Sequence, residues 1–306
     1  MNREGIYYWK CDRPSAFHGT RTRGEPDPIL QSQLTEELQH YFHCDSVVLG
    51  AGGGEGNHLT WAGRVDGREM FVRVENGPEM DGQLAVESAV LERVRETGVS
   101  TPLVYGCDAS RSRVPFAWQA LEKISAPDLN HWHKQGLLEI PTIAFSIGVA
   151  VAKWQGLTLP GMGVLDGSLK GFHSTYENYY RLRLDEHLGF LVERGLLTFP
   201  DRSAINAVIN EHASLLHLEQ GCFVHKDLAL WNILGSASDV RAFIDFDDAI
   251  SGDPMDDLSL LACFHDAAFL ESAFDGYQSV RPLPAEHRRR FWLHLLRNMI
   301  VKAVIR

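Results

Sequence analysis

The sequence predicts an α+β protein in two lobes, the first built on a small antiparallel sheet and the second mainly helical. Three observations predict it. Short β-type runs dominate from Ser46 to Ile124, helical periodicity dominates from about Pro141, and one strand-and-turn segment, FVHKDLALWNILGSASDVRAFIDFDD, interrupts the helical half. At 306 residues with 44% hydrophobic composition, the chain is long and apolar enough for two lobes with sizeable cores.

Taken in order, the first 30 residues mix Tyr7, Tyr8, Trp9 and Phe17 with Gly, Pro and Arg in no clear period, and read as an irregular arm packed on the body. The run VVLGAGGGEGNHLTWAGRVDGREMFVRVE reads as a glycine-rich hairpin and a further strand, with Asp66-Gly67 as the turn signal. Leu84, Ala85, Val86, Val90, Leu91 and Val94 fall on one helical face of a segment that stops at Gly98. Strand character returns in TPLVYGCDASRSRVPFAWQALEKI, which places a boundary near residue 124 between a first lobe, 31–124, and a second, 125–306. Helices are expected in PTIAFSIGVAVAKWQGL, TYENYYRLRLDEHLGFLVERGL and SAINAVINEHASLLHLEQG. The last segment, EHRRRFWLHLLRNMIVKAVI, reads as an amphipathic helix with its basic residues facing solvent.

Composition narrows the function classes. The five cysteines are odd in number and never form a C-x-x-C pair, so they read as reduced thiols of a cytoplasmic protein. No apolar leader or membrane-length run is present, which argues against secretion and membrane insertion. A net charge of -11 disfavours nucleic acid as a partner and suits a cationic small molecule, in a monomer or homodimer.

The segment that carries chemistry is His225-Lys226-Asp227-Leu228-Ala229-Leu230-Trp231-Asn232, followed 13 residues after Asn232 by Asp245. Phosphoryl transfer needs a carboxylate to orient and deprotonate an acceptor hydroxyl, and oxygen ligands that hold Mg2+ against a nucleoside triphosphate. Asp227, Asn232 and Asp245 supply that set, and the run matches the template H-R-D-x-x-x-x-N with Lys226 in place of Arg. A loop can present Asp227 to the acceptor while the strand after it begins at Asn232 and a hairpin, Trp231 to Leu234 against Ala242 to Phe246, returns Asp245. His225 is expected to brace this loop, and Asp257 to cap or anchor a helix after Gly252-Asp253-Pro254.

With these residues in view, VHKDLALWNIL and AFIDFDDAISGDPMDDLSLLA resemble the aminoglycoside phosphotransferase family, a branch of the protein-kinase-like fold, over residues 45 to about 270. The resemblance implies a bilobal fold with ATP, or alternatively GTP, in the cleft of a nucleotide-binding first lobe. It implies that Gly50, Gly52, Gly53, Gly54 and Gly56 form a loop over the phosphates, glycine letting backbone amides approach closely. Arg73 stands where the family often has lysine, with Glu87 as its partner, and the hinge at Leu121 to Ile124, Glu122 included, meets the adenine edge. Asp247 stands where a glycine commonly follows the metal-binding Asp and its aromatic neighbour, and Asp247 and Asp248 face either a substrate amine or water.

The stretch GMGVLDGSLKGFHSTYENYYRLRLDEHL resembles the approach to the acceptor site of hygromycin B phosphotransferases. That makes Tyr176, Glu177, Tyr179, Asp185 and Glu186 candidate acceptor contacts, against the plainer alternative of core tyrosines and a solvated acidic face. The expected reaction is ATP- and Mg2+-dependent phosphorylation of a hydroxyl on an aminoglycoside, aminocyclitol or sugar-like molecule. The alternatives are a housekeeping kinase of a homoserine- or choline-like amino alcohol, a nucleotide-binding pseudokinase, and a metal protein built on His131-x-His133.

Overall fold

A computed structural model describes residues 3–12, 28–52, 58–75, 80 and 82–305. The α+β, two-lobe organisation appears as expected. After a 3-10 turn at Arg3–Gly5 and helix α1 (Trp9–Asp12), helix α2 (Pro28–Phe42) begins within the stretch read as arm. The first lobe is an antiparallel sheet of β1 (Val47–Ala51), β2 (Leu59–Val65), β3 (Arg68–Val74), β4 (Val104–Asp108) and β5 (Trp118–Glu122), in the order β1-β2-β3-β5-β4. Helix α3 (Gln83–Glu96) packs on it.

The Asp66-Gly67 signal works as read. Val65 pairs with Arg68 across a two-residue turn whose residues both have positive φ, 45° and 81°, the mirror-image turn that matches strand twist. Alternation along β3 sends Met70, Val72 and Val74 into a core with Trp61, Trp118, Leu34 and Leu38.

The second lobe contains α4 (Leu129–Lys134), α5 (Ile140–Trp154), α6 (Tyr176–Arg181), α7 (Leu184–Glu193), α8 (Phe199–Glu211), α9 (Met255–Leu261), α10 (Ala267–Gln278) and α11 (His287–Ile305). A sheet of β6 (Thr158–Leu159), β7 (Met162–Leu165), β8 (Gly171–His173), β9 (Gly221–Val224) and β12 (Ile250–Gly252) runs through it in the order β6-β9-β12-β7-β8. The expected hairpin forms as β10 (Ile233–Gly235) and β11 (Val240–Phe243), shorter than the apolar runs suggested. Helices α5 and α10 cross in close contact because both present glycine: a Cβ on Gly148 would lie 1.9 Å from the Ala273 carbonyl oxygen, and one on Gly276 2.0 Å from that of Phe145.

Two helical readings are corrected. The segment from Tyr176 onward breaks into α6 and α7 at Arg183, whose φ is 59°. The basic residues of α11 do not all face solvent, since Arg297 is fully buried and Lys302 is largely so. The Arg297 guanidinium donates to the carbonyls of Tyr180 (3.0 Å) and Leu182 (2.8 Å), acceptors at the end of α6 that the helix itself leaves unpaired. Periodicity identifies which residues share a face but not which carbonyls wait opposite it.

Among the described residues no helix is long and apolar enough to cross a membrane, and none of the five cysteines is in a disulfide.

Candidate active site

Strand β9 delivers the chain to His225, where the backbone must turn sharply. It does so at Lys226, whose φ of 70° is the left-handed region that a branched or long side chain rarely adopts. Surrounding structure holds that conformation in place. The backbone N–H groups of His225 and Lys226 each donate to the Asp257 carboxylate at 3.0 Å, and Trp154 Nε1 donates to it at 3.1 Å. Asp257, inside α9, therefore holds the loop at His225 and Lys226 rather than capping a helix, which corrects its expected role. Burial pushes its carboxyl above the usual range, with the His225 and Lys226 contacts opposing that shift.

His225 braces the loop as read. Its Nε2 lies 3.1 Å from the carbonyl of Ile244, so that nitrogen carries the proton, while Nδ1 accepts from the Asp227 N–H at 3.3 Å. The lysine after it is buried: Lys226 Nζ donates to Asp256 Oδ2 (2.6 Å) and to the Tyr7 hydroxyl (3.1 Å).

The structure brings Asp227 and Asn232 into direct contact. Asn232 Nδ2 donates to the Asp227 carbonyl at 2.8 Å and to its Oδ2 at 3.1 Å, which aims the Asn232 amide oxygen away from Asp227. Asp245 follows Ile244, whose N–H donates to the Asn232 carbonyl at 3.0 Å, so the hairpin returns beside the loop. Asp245 has a φ of 63° and a side chain 35% exposed.

Arg73 links the two lobes. Its guanidinium pairs with Glu87, meets His58 Nδ1 at 2.7 Å, and reaches Asp245 (3.3 Å) and Asp247 (3.5 Å). The other Glu87 oxygen accepts from the Phe246 N–H at 3.2 Å, so Glu87 holds both the arginine and the backbone after Asp245. The Arg73 side chain is buried among these four partners and does not face solvent. Asp247 and Asp248 are also buried rather than facing water. Burial, then repulsion from Asp245, raises the Asp247 carboxyl well above the usual range; burial and the Asp227 charge raise Asp248 to about 6.

The remaining expected positions have the following surroundings. Gly52 is required by the sheet itself, since a Cβ there would lie 2.3 Å from the Thr60 carbonyl carbon. Gly53, Gly54 and Gly56 lie outside the described residues. Glu122 closes β5 with its N–H on the Leu103 carbonyl (2.8 Å), and the Ile124 carbonyl accepts from Ala126 (3.0 Å). Tyr176 and Tyr179 are fully buried core residues, and Glu177, Asp185 and Glu186 pair with Arg181, Arg202 and Arg183. The plainer alternative for these five residues is what the structure shows. His131 and His133 do not converge on one point: His131 meets Gln135, whereas His133 packs on His265.

Sequence reasoning missed what covers Asp227. Tyr8 Oη donates to Asp227 Oδ1 at 2.6 Å, Lys302 Nζ to the same oxygen at 3.1 Å, and Lys10 Nζ to Oδ2 at 2.8 Å. Burial alone would raise this carboxyl, but the two ammonium groups and the phenol hold it well below the usual carboxylate range. The aromatic arm was visible in the sequence, but no local pattern says where it docks.

The comparisons agree with this architecture. A family model described as the phosphotransferase enzyme family matches residues 48–292. Solved structures share the fold at low identity. Aminoglycoside phosphotransferase APH(4)-Ia is 16% identical with a TM-score of 0.63, over 89% of this chain and 90% of that one. A putative fructosamine-3-kinase from Haemophilus somnus 129PT is 16% identical with a TM-score of 0.62, over 90% of each chain. Macrolide 2'-phosphotransferase MphH from Brachybacterium faecium is 16% identical with a TM-score of 0.58, over 88% of this chain and 89% of that one. A variant of APH(4)-Ia, at 15% identity and a TM-score of 0.63 over 89% and 90% of the chains, is described in ternary complex with AMP-PNP and hygromycin B. No curated protein matches the chain. The family model's match across most of the chain, on a bilobal fold that these solved structures share, shows that this protein belongs to the phosphotransferase enzyme family.

Proposed function

We propose that the chain transfers the γ-phosphoryl group of ATP, with GTP as the alternative donor, to a hydroxyl of an aminoglycoside, aminocyclitol or sugar-like molecule in the cytoplasm. The observation that carries this is the pairing of Asp227 with Asn232 beside Asp245, joined through Arg73 and Glu87 to the sheet lobe. In this reading residues 31–124 hold the nucleotide, residues 125–306 supply the catalytic loop and acceptor site, and residues 3–12 form an arm. The hydrogen bond that Asp227 already makes to a hydroxyl, that of Tyr8, supports its role as the residue that orients the acceptor and takes its proton. The AMP-PNP and hygromycin B bound by the APH(4)-Ia variant support the choice of donor and acceptor classes.

The residues fit a magnesium ion. Both hydrogen bonds from Asn232 Nδ2 go to Asp227, which turns its amide oxygen the other way, and Asp245 offers an accessible carboxylate; hard divalent cations take such oxygens. Bound there, the ion would neutralise charge on the triphosphate. Arg73 steadies the phosphate end from the sheet lobe, and Glu87 fixes the guanidinium. Gly52, Gly53 and Gly54 are proposed to lie over the phosphates, with Glu122 and Ile124 at the adenine edge.

The test is Mg2+-dependent release of ADP or GDP by the wild type and Asp227→Ala, over aminoglycosides including hygromycin B, aminocyclitols, hexoses and amino alcohols. Acceptor-stimulated release that the variant lacks is the expected result. Stimulation by amino alcohols alone would shift the substrate to that class, and equal turnover by Asp227→Ala would sink the assignment.

A further inference from the structure

Residues 6–12 cover the Asp227 carboxylate. The Asp227 side chain is 1% exposed, and its two oxygens already accept from four groups, namely Tyr8, Lys302, Lys10 and Asn232. With both oxygens so engaged, no approach remains for a further hydroxyl. Asn232 and Lys302 belong to the body of the second lobe. Tyr8 and Lys10 belong to the arm, and between them they present a hydroxyl and an ammonium to the same carboxylate.

The arm divides into an anchor and a tip. Asp12 Oδ2 accepts the backbone N–H groups of Tyr7 and Tyr8, both at 2.9 Å, and Asp12 Oδ1 meets His187 Nε2 at 2.7 Å. The Tyr7 ring stacks on Tyr179 at 4.9 Å, with the Arg297 guanidinium 3.6 Å from its centroid. These contacts fix the arm to α6, α7 and α11 without involving Asp227. At the tip, the Lys10 side chain is 38% exposed and its ammonium can return to water, and the Trp9 N–H lies 3.1 Å from Asp248.

We propose that residues 6–12 are a built-in pseudosubstrate: Tyr8 Oη takes the place of the acceptor hydroxyl, Lys10 Nζ that of a cationic group beside it, and the acceptor reaches Asp227 by displacing both. The inference rests on the phosphotransfer reading above and deepens it. It assigns to the acceptor a hydroxyl flanked by a cation, with Asp227 and Asp248 as the acidic walls that the departing tip uncovers. Only the fraction of molecules with the tip displaced would bind acceptor, which lowers apparent affinity by that fraction.

Two measurements on the full chain test this. The first needs no ligand: hydrogen exchange at the Trp9 amide, whose partner Asp248 lies outside the anchor, compared with α11. A locally opening arm exchanges roughly 100-fold faster than the helix or more, whereas equal protection means that it opens only with global unfolding and overturns the proposal. The second is kcat/KM over the acceptor panel, hygromycin B included, for the wild type, Lys10→Ala and Tyr8→Phe. Removing one competing contact is expected to raise kcat/KM about tenfold, through KM, because a charge-assisted hydrogen bond no longer holds the closed form. A lower kcat in both variants would place the arm inside the catalytic machinery and overturn the proposal. So would wild-type turnover that neither variant exceeds. An absence of turnover in all three proteins would instead fail the phosphotransfer reading, and the proposal with it.

Discussion

Asp227 and Asp245 are the same side chain in opposite surroundings. Asp227 is 1% exposed beneath four donors, whereas Asp245 is 35% exposed and held through Arg73 at 3.3 Å. The difference teaches how one short segment can serve two tasks. A residue proposed to orient a hydroxyl is preorganised by a rigid loop and then covered. The residue proposed as metal ligand stays accessible at a hairpin end, where a hydrated ion could exchange.

The largest expected effect comes from removing the covered carboxylate's basicity while keeping its shape. Asp227→Asn is expected to lower kcat by roughly 10²–10⁴-fold, with nucleotide affinity retained, as measured by steady-state kinetics and AMP-PNP titration. Retained turnover would mean that the contrast with Asp245 has no catalytic meaning.

Next is the scaffold under Asp227. Asp257→Ala leaves the N–H groups of His225, Lys226 and Trp154 without their buried acceptor. At ~1–3 kcal/mol per orphaned group, partly relieved by relaxation, a loss of about 3 kcal/mol in unfolding free energy is expected from urea denaturation. An unchanged midpoint would show that the strained backbone at Lys226 is held by something else.

On the exposed side, Asp245→Asn is expected to cost at least the ~10–100-fold that weakening a metal's surroundings costs, and the loss should shrink as Mg2+ is raised. A loss insensitive to Mg2+ concentration would instead tie Asp245 to Arg73 alone. Smallest is Arg73→Lys, which keeps the charge but not the fork that spans Glu87, Asp245 and Asp247. It is expected to cost the ~0.5–1.5 kcal/mol of one hydrogen bond, roughly two- to tenfold in nucleotide KM with kcat nearly unchanged.

Much of the fold was legible because its signals are local. The Asp66-Gly67 turn fixes the β2–β3 register within a few residues, and the apolar face from Leu84 to Val94 becomes the buried side of α3. The spacing from Asp227 to Asn232 worked for the same reason, since five positions, ending in the 3-10 turn Leu230–Asn232, suffice to bring the two into contact. The break at Arg183 was not legible. Periodicity continues across it, whereas in the structure α7 packs on α11 beyond the bend and the Tyr180 hydroxyl of α6 donates to the Leu293 carbonyl of α11 before it.

Alone, the sequence determined the two-lobe α+β class, the motif Asp227, Asn232 and Asp245, and the pairing of Arg73 with Glu87 through the resemblance it carries. Tertiary structure alone decided that Tyr176 and Tyr179 are core, that Arg297 is buried, and that Tyr8, Lys10 and Lys302 converge on Asp227. The physical reason is distance along the chain. Turn chemistry and periodicity act over a few residues, but Tyr8 meets Asp227 across 219 positions, and only packing of the whole second lobe chooses which partners such distant residues find.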